Sequence, residues 1–285
     1  MSQDWQIDGP KVLDIGGEFE TVKKLSLGLV AGRMDIVTHD DSPTARLEVH
    51  EVDGQPLLVT WDGATLKVSH VKDKNGNLWD SLMSLGQDWG RRSARISISV
   101  PATTDINAST VSADTLVNGI RAKVKANTVT GAITLDDITG DVEAGSVSGD
   151  IECHALGGDF KGNTVSGELT VQASRLGKIR LNTVSGDITL DLTHGAAQIQ
   201  SNSVSGDVTV RIPPGGGFDV SARTASGQVV IDGQSMHGNA PHQRGGVLSE
   251  GDKALVIKAN SVSGNVVVLR KTDIQDTVRD SVIED

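Results

Sequence analysis

Acidic residues recur at matching places along the second half of the chain. Asp150, Glu168, Asp187 and Asp207 each follow a glycine, and Asp141 and Asp159 sit at a second set of glycines. Carboxylates stacked at one strand spacing, about 4.8 Å, could hold Ca²⁺, and a facing pair could hydrolyse a glycosidic bond. These residues belong to a repeat, however, and Asp after Gly suits a turn. The calcium-binding nonapeptide pattern with paired glycines is absent. The expectation is a chain with no metal, no cofactor and no catalytic residue.

The seven histidines add little chemistry. His39, His50, His70, His154 and His194 show no ligand-like spacing. His237 and His242 share one long insertion with Arg244, over residues 232–246, whose Gly, Pro and Asn content predicts a mobile loop able to meet an anion, a metal or a partner. No Walker A motif, dinucleotide fingerprint or nucleophile elbow occurs. The run Gly215-Gly216-Gly217 lies between Pro213-Pro214 and Phe218, with no helix pattern or Lys after it, so it reads as a turn.

The elements that would position these groups come from one phrase. It reads Asn127-Thr-Val-Thr-Gly131, Gly145-Ser-Val-Ser-Gly149, Asn163-Thr-Val-Ser-Gly167, Asn182-Thr-Val-Ser-Gly186 and Asn202-Ser-Val-Ser-Gly206, with variants at Arg223–Gly227 and Asn260–Gly264. From Gly131 through Gly149, Gly167, Gly186 and Gly206 to Gly227 the steps are 18, 18, 19, 20 and 21 residues. So short a period means a solenoid, whose units cannot bury their apolar faces alone.

Period-two segments such as Asp187-Ile188-Thr189-Leu190 follow each phrase, and a second glycine (Gly140, Gly158, Gly177, Gly195) divides each unit. One unit is strand, bend, strand, bend, and glycine suits both bends through its access to positive φ. The fold class is all-β, a parallel β-helix. Ile133, Ile151, Leu169, Ile188, Val208, Val229 and Val266 predict one internal stack; Leu135, Cys153, Val171, Leu190, Val210, Ile231 and Val268 predict a second. Asn127, Asn163, Asn182, Asn202 and Asn260 predict an amide ladder, and the Ser and Thr beside each Val a hydroxyl ladder. Alternation cannot turn both the Thr and the Val of the phrase inward, and leaves open which one faces out.

Composition agrees. Of 285 residues only 2% are aromatic and none is Tyr, so Val, Ile, Leu and Ala must build the core. A net charge of −11 argues against nucleic acid or anionic membrane as a partner. Cys153 alone can form no disulfide within the chain and falls on an inward position. No signal-peptide pattern and no apolar window of spanning length is found, which predicts a cytoplasmic protein.

Residues 1–105 repeat less clearly and predict an antiparallel strand region that caps the β-helix of residues 106–270. Asp53-Gly54 and Asp62-Gly63 are hairpin signals, and Pro101 marks the seam. Two short capping helices are expected. Leu78, Leu82, Leu85 and Trp89, with Trp79 and Met83 beside them, recur at helical spacing, and Ile274, Val278 and Val282 do the same in the tail at 271–285. The first either plugs the open end or packs on one sheet, or else docks a partner or a membrane surface, and the second caps the last coil or hangs as an acidic tail. This makes Leu78, Trp79, Leu82 and Trp89 candidate interaction residues together with His237, His242 and Arg244.

Together, Ser97-Ile-Ser-Val-Pro101 and the Thr-Val-Ser-Gly units resemble a bacterial β-strand-repeat family of unknown function, the toastrack domains, which carry a provisional adhesin label. The likeness spans roughly residues 20–270. It implies a β-helical scaffold, and its members are often linked to envelope-stress systems. The expected function is a non-enzymatic scaffold for an unidentified protein partner, with its oligomeric state open. A carbohydrate-active β-helix enzyme and a surface adhesin are the alternatives.

Overall fold

The structure is a computed structural model that describes residues 3–17, 20–39, 42–71, 79, 92–237 and 244–271. The N-terminal strands are β1 (Gln3–Ile7), β2 (Lys11–Ile15), β3 (Lys24–Leu29), β4 (Ala31–His39), β5 (Ala45–Gly54), β6 (Leu57–Trp61), β7 (Thr65–Ser69) and β8 (Arg92–Pro101). The repeats supply β9 (Asp105–Thr110), β10 (Asp114–Asn118), β11 (Val124–Thr128), β12 (Ile133–Asp136), β13 (Val142–Ser146), β14 (Ile151–His154), β15 (Gly157–Thr164) and β16 (Leu169–Thr183). Then follow β17 (Ile188–Leu192), β18 (Ala197–Asn202), β19 (Val208–Ile212), β20 (Phe218–Thr224) and β21 (Val229–Ile231). The last are β22 (Gln234–Ser235), β23 (Arg244–Glu250), β24 (Leu255–Ser261) and β25 (Val266–Arg270).

Alternate strands fall in alternate sheets. In sheet A, β9, β11, β13, β15, the second half of β16, and β18 pair in parallel; in sheet B, β10, β12, β14, the first half of β16, β17 and β19 do the same. This is the parallel β-helix that the repeat predicts. Both apolar stacks form: Ile133 opposes Ile151, then Leu169, Ile188 and Val208 in turn, and every member is buried. The core is the narrow space between the sheets, filled by aliphatic side chains, with Phe160 and Phe218 among the few large ones.

At the C-terminal end the stack departs from chain order. β18 pairs with β24, and β24 in turn with β20; likewise β19 pairs with β25, and β25 with β21. The last coil of the chain is therefore slotted between two earlier ones, and Val208 meets Val266 before Val229. The first end mirrors this. β3 and β4 lie between the coil of β9 and β10 and that of β7 and β8, with every pairing parallel. Parallel stacking thus begins at Lys24, well before residue 106.

The antiparallel cap lies beyond that coil. β6 pairs with β7 and β1 with β6 in sheet A, and β5 with β8 and β2 with β5 in sheet B, all antiparallel. Asp62-Gly63 makes the β6–β7 hairpin, where Asp62 Oδ1 accepts the N–H of Thr65 and of Ala64. Asp53-Gly54 does not make a hairpin. It turns the chain from β5 in sheet B to β6 in sheet A, a corner between layers. The two expected capping helices fall outside the described residues except for Trp79, which is helical; the described strands make the fold all-β.

Glycine at the phrase bend has a different reason from the expected one. Gly131, Gly149, Gly167, Gly186, Gly206 and Gly264 are absent from the positive-φ residues, and of the mid-unit glycines only Gly158 is among them. What excludes a side chain is crowding. A Cβ on Gly186 would run into the carbonyl of Gly167, one on Gly167 into that of Gly149, and one on Gly206 into that of Gly186. These glycines stack backbone on backbone.

Candidate functional site

Each phrase forms one corner of the solenoid, and its residues divide by direction. The first Thr or Ser turns inward: Thr128, Ser146, Thr164, Thr183, Ser203 and Thr224 are all buried. Their hydroxyls mostly serve the backbone of the same bend. Thr164 Oγ1 donates to the Gly167 carbonyl at 3.0 Å and Ser203 Oγ to that of Gly206 at 2.7 Å, while Thr183 Oγ1 accepts from Gly186 N–H at 2.9 Å. The second hydroxyl reaches the preceding coil, as Ser205 Oγ does to the Val184 carbonyl. Among the described residues the expected hydroxyl ladder therefore reduces to one contact, Thr110 Oγ1 to Thr128 Oγ1 at 2.9 Å. A buried hydroxyl needs a partner, and the nearest groups are the bend's own amides and carbonyls.

The Val between them turns outward. Val147, Val165, Val184, Val204 and Val262 are exposed, from 38% at Val147 to 54% at Val262. They are one coil apart, about 4.8 Å, and the backbone ladder continues through them, with Ser185 N–H donating to the Val165 carbonyl and Ser263 N–H to that of Val204. An apolar ridge therefore runs along the corner. Towards the N-terminal end it goes under cover, where Val30 and Val111 are buried with Val71 and Val129 packed against them.

Beside the ridge runs the amide ladder. Asn182 Nδ2 donates to Asn163 Oδ1 at 2.9 Å, Asn202 Nδ2 to Asn182 Oδ1 at 3.0 Å, and Asn260 Nδ2 to Asn202 Oδ1 at 3.2 Å. Asn127 stands apart because Gly145 occupies the next rung.

The carboxylate column has a clear task. Asp150 Oδ1 accepts the N–H of Glu168 one coil on, Asp187 that of Asp207, and Asp207 that of Asn265, all within 2.8 Å. At the other bend Asp141 accepts from Asp159 N–H and Asp159 from Lys178 N–H. Each carboxylate caps an amide that the parallel ladder would leave unpaired at the strand start. A shallow depression of about 360 Å³ on sheet B is lined by Asp150, Glu152, His154 and Glu168, among others. Two of its acids are engaged, Asp150 accepting from Glu168 N–H and Glu168 from Thr170 Oγ1, and its His154 Nδ1 lies 2.9 Å from Asp136 Oδ1. Among the described residues no three His, Cys, Asp or Glu side chains are grouped to hold a metal ion.

Ionisation is perturbed mainly at structural positions. Burial, helped by the charge of Arg92, pushes the His70 imidazole down to about 4. Its Nδ1 accepts from Val30 N–H at 3.2 Å, and its Nε2 has no partner. Burial drives the Cys153 thiol far up, which makes it inert. The hydrogen bond from Lys161, at 3.0 Å, and the charge of Lys125 hold Glu143 below the usual carboxylate range.

Three of the candidate interaction residues, Trp79, His237 and Arg244, are described. Trp79 is half-buried, while Leu78, Leu82, Trp89 and His242 lie outside the described residues. His237 is exposed just after β22, and Arg244 opens β23. The ridge is the feature that sequence reasoning passed over. Its signal was the conflict at Thr-Val, where a pattern of strict alternation fails at every repeat.

Comparison with known proteins bears on this architecture. The profile of the Toastrack DUF4097 family matches residues 35–269. The chain belongs to that family. Among curated proteins there is no match to this Toastrack chain. Among solved structures, a Clostridium sporogenes protein named provisionally for cell adhesion is similar at 13% identity and a TM-score of 0.26, covering 92% of this chain and 100% of its own. A Parabacteroides distasonis protein named provisionally for lipid binding is similar at 15% identity and a TM-score of 0.47, covering 94% and 99%. No helix among the described residues is long and apolar enough to cross a membrane.

Proposed function

We propose that this Toastrack chain is a non-enzymatic scaffold whose valine ridge docks a protein partner. The observation that carries the reading is the ridge itself. Most of the inward hydroxyls of the phrase bond to the bend, whereas Val165, Val184, Val204 and Val262 are exposed in line. Isolated exposed valines need no explanation, but a contiguous apolar strip on a rigid support is the form an interaction surface takes. The Asp columns support the same reading, because their oxygens are used on backbone amides.

The test is a comparison of baits. Native protein is set against a variant carrying Val165→Ser, Val184→Ser and Val204→Ser, with Thr170→Ser and Thr189→Ser on sheet B as a control. The expected result is a protein recovered by native and control baits and lost with the ridge variant, at unchanged thermal stability. Equal recovery by all three would reject the ridge. Cleavage of a polysaccharide by the purified chain would reject the non-enzymatic reading.

A further inference from the structure

A solenoid of two sheets has four terminal strands, and three of these are guarded. β1 carries Asp4, β2 carries Lys11 and Asp14, and Pro10 lies between them. β22 is only two residues long. Charge, proline and shortness are the usual means of stopping edge-to-edge pairing. β23 has none of these over its middle. It runs for seven residues, its register with β20 is unbroken, and among the described residues nothing pairs with its other side. Between its end charges it reads Gly245-Gly246-Val247-Leu248-Ser249. Leu248 packs on the core, and Val247 on the opposite face is 64% exposed, the most exposed large hydrophobic residue described.

The strand is also complementary to itself. An antiparallel copy centred on Val247 sets Arg244 against Glu250, Gly245 against Ser249 and Gly246 against Leu248. Residues of opposite charge then stand opposite at both ends, and valine stands directly opposite valine at the centre. No other register of this strand on itself does both. We propose that two copies of this chain associate through β23, pairing antiparallel about a two-fold axis at Val247, so that sheet A continues from one molecule into the other. Such a contact is isologous and closed, which limits it to a dimer. Glu250 already accepts a 2.7 Å bond from Arg270, so the end charges set register more than strength. One strand edge buries less than the roughly 1,600 Å² of a standard stable interface, so the dimer is concentration-dependent. This surface is separate from the ridge, and its test needs no other protein.

The test uses the purified full chain. By sedimentation equilibrium the native mass should rise from 29.8 kDa towards twice that value with concentration, and Val247→Lys, which sets like charges together, should hold it at the monomer with an unchanged melting temperature. Without reductant, Val247→Cys should give a disulfide dimer and Ser249→Cys should not, because Gly245 faces Ser249 in this register; buried Cys153 stays silent. A native chain that stays monomeric throughout, a Val247→Lys variant that dimerises as well as native, or equal cross-linking by both cysteine variants would each overturn the proposal.

Discussion

The two ends of this solenoid meet the same difficulty with unequal means. Each tucks its terminal coil one place inward, so that β3 and β4 lie beneath β7 and β8, and β24 and β25 lie beneath β20 and β21. Beyond that point they differ. The N-terminal end adds two antiparallel strands to each sheet, with Trp61 buried in the cap and its Nε1 donating to Glu20 at 3.0 Å. The C-terminal end adds β23 to one sheet and the short β22 to the other. A bare parallel coil is an open template, and each added strand moves the exposed edge further from the repeats. The thick end is closed by its own chain; the thin end is where we propose that a second copy completes the seal.

The comparison breaks most visibly in the inserted coil. Ile257 is fully buried between Ile199 and Val220. Ile257→Asp leaves a charge without a partner on both sides and should cost more than about 4 kcal/mol. Hydrogen exchange should then show protection lost over 197–270 and kept in β1–β8. Loss at both ends together would mean that the solenoid unfolds as one unit.

A smaller effect is expected from glycines of the middle and the N-terminal cap. Gly186→Ala drives a Cβ into the Gly167 carbonyl and should cost about 2–4 kcal/mol. Gly63, at φ +97, has open space around it, so Gly63→Ala should cost about 1–2 kcal/mol from backbone strain alone. Denaturant melts of both variants decide whether stacking or φ governs these positions.

The N-terminal end should also carry a pH dependence. His70 is neutral when folded, with its pKa lowered to about 4 from an ordinary value near 6.5. Between those values the unfolded chain binds a proton that the folded chain does not, so stability falls as pH drops from about 6.5 to about 4, by roughly 2–3 kcal/mol. Above that window the contribution is fully present. His70→Gln should flatten this slope, read from melting temperatures across the range. Smallest of all, Val184→Thr on the open ridge should change stability by less than about 0.5 kcal/mol, since its side chain already meets water.

Much of this was legible in the residues. The period of the glycines gave the coil, and alternation after each glycine placed Ile151, Leu169 and Ile188 in one stack, because a strand of period two on a fixed repeat has only one inward set. The Asn ladder followed from identity at one position. What stayed hidden depended on contacts between distant segments. Nothing in Arg223-Thr-Ala-Ser-Gly227 says that it stacks outside Asn260-Ser-Val-Ser-Gly264, and Gly186 gives no sign that crowding, not dihedral freedom, excludes a side chain. The direction of the Val in the phrase also escaped, since it is set by buried hydroxyls that bond back to the bend.

The slotted last coil has a consequence for biogenesis. Residues 218–231 leave the ribosome before 255–270, so β20 meets the exposed edge of β18 while its proper neighbour is still unmade. The two coils share the strand–bend–strand pattern of the repeat, so both offer edges of the same form. Two side-chain rungs favour the later coil beside β18: Asn260 completes the amide chain from Asn202, which Arg223 cannot, and Asn265 Nδ2 donates to Asp207 Oδ2. The native order therefore depends on a late arrival displacing an early one, or on the early one waiting. Such long-range closure is slow compared with adding coils in sequence. The final coil is therefore the expected slow step, and the Asn202–Asn260 rung is one contact that favours the native order.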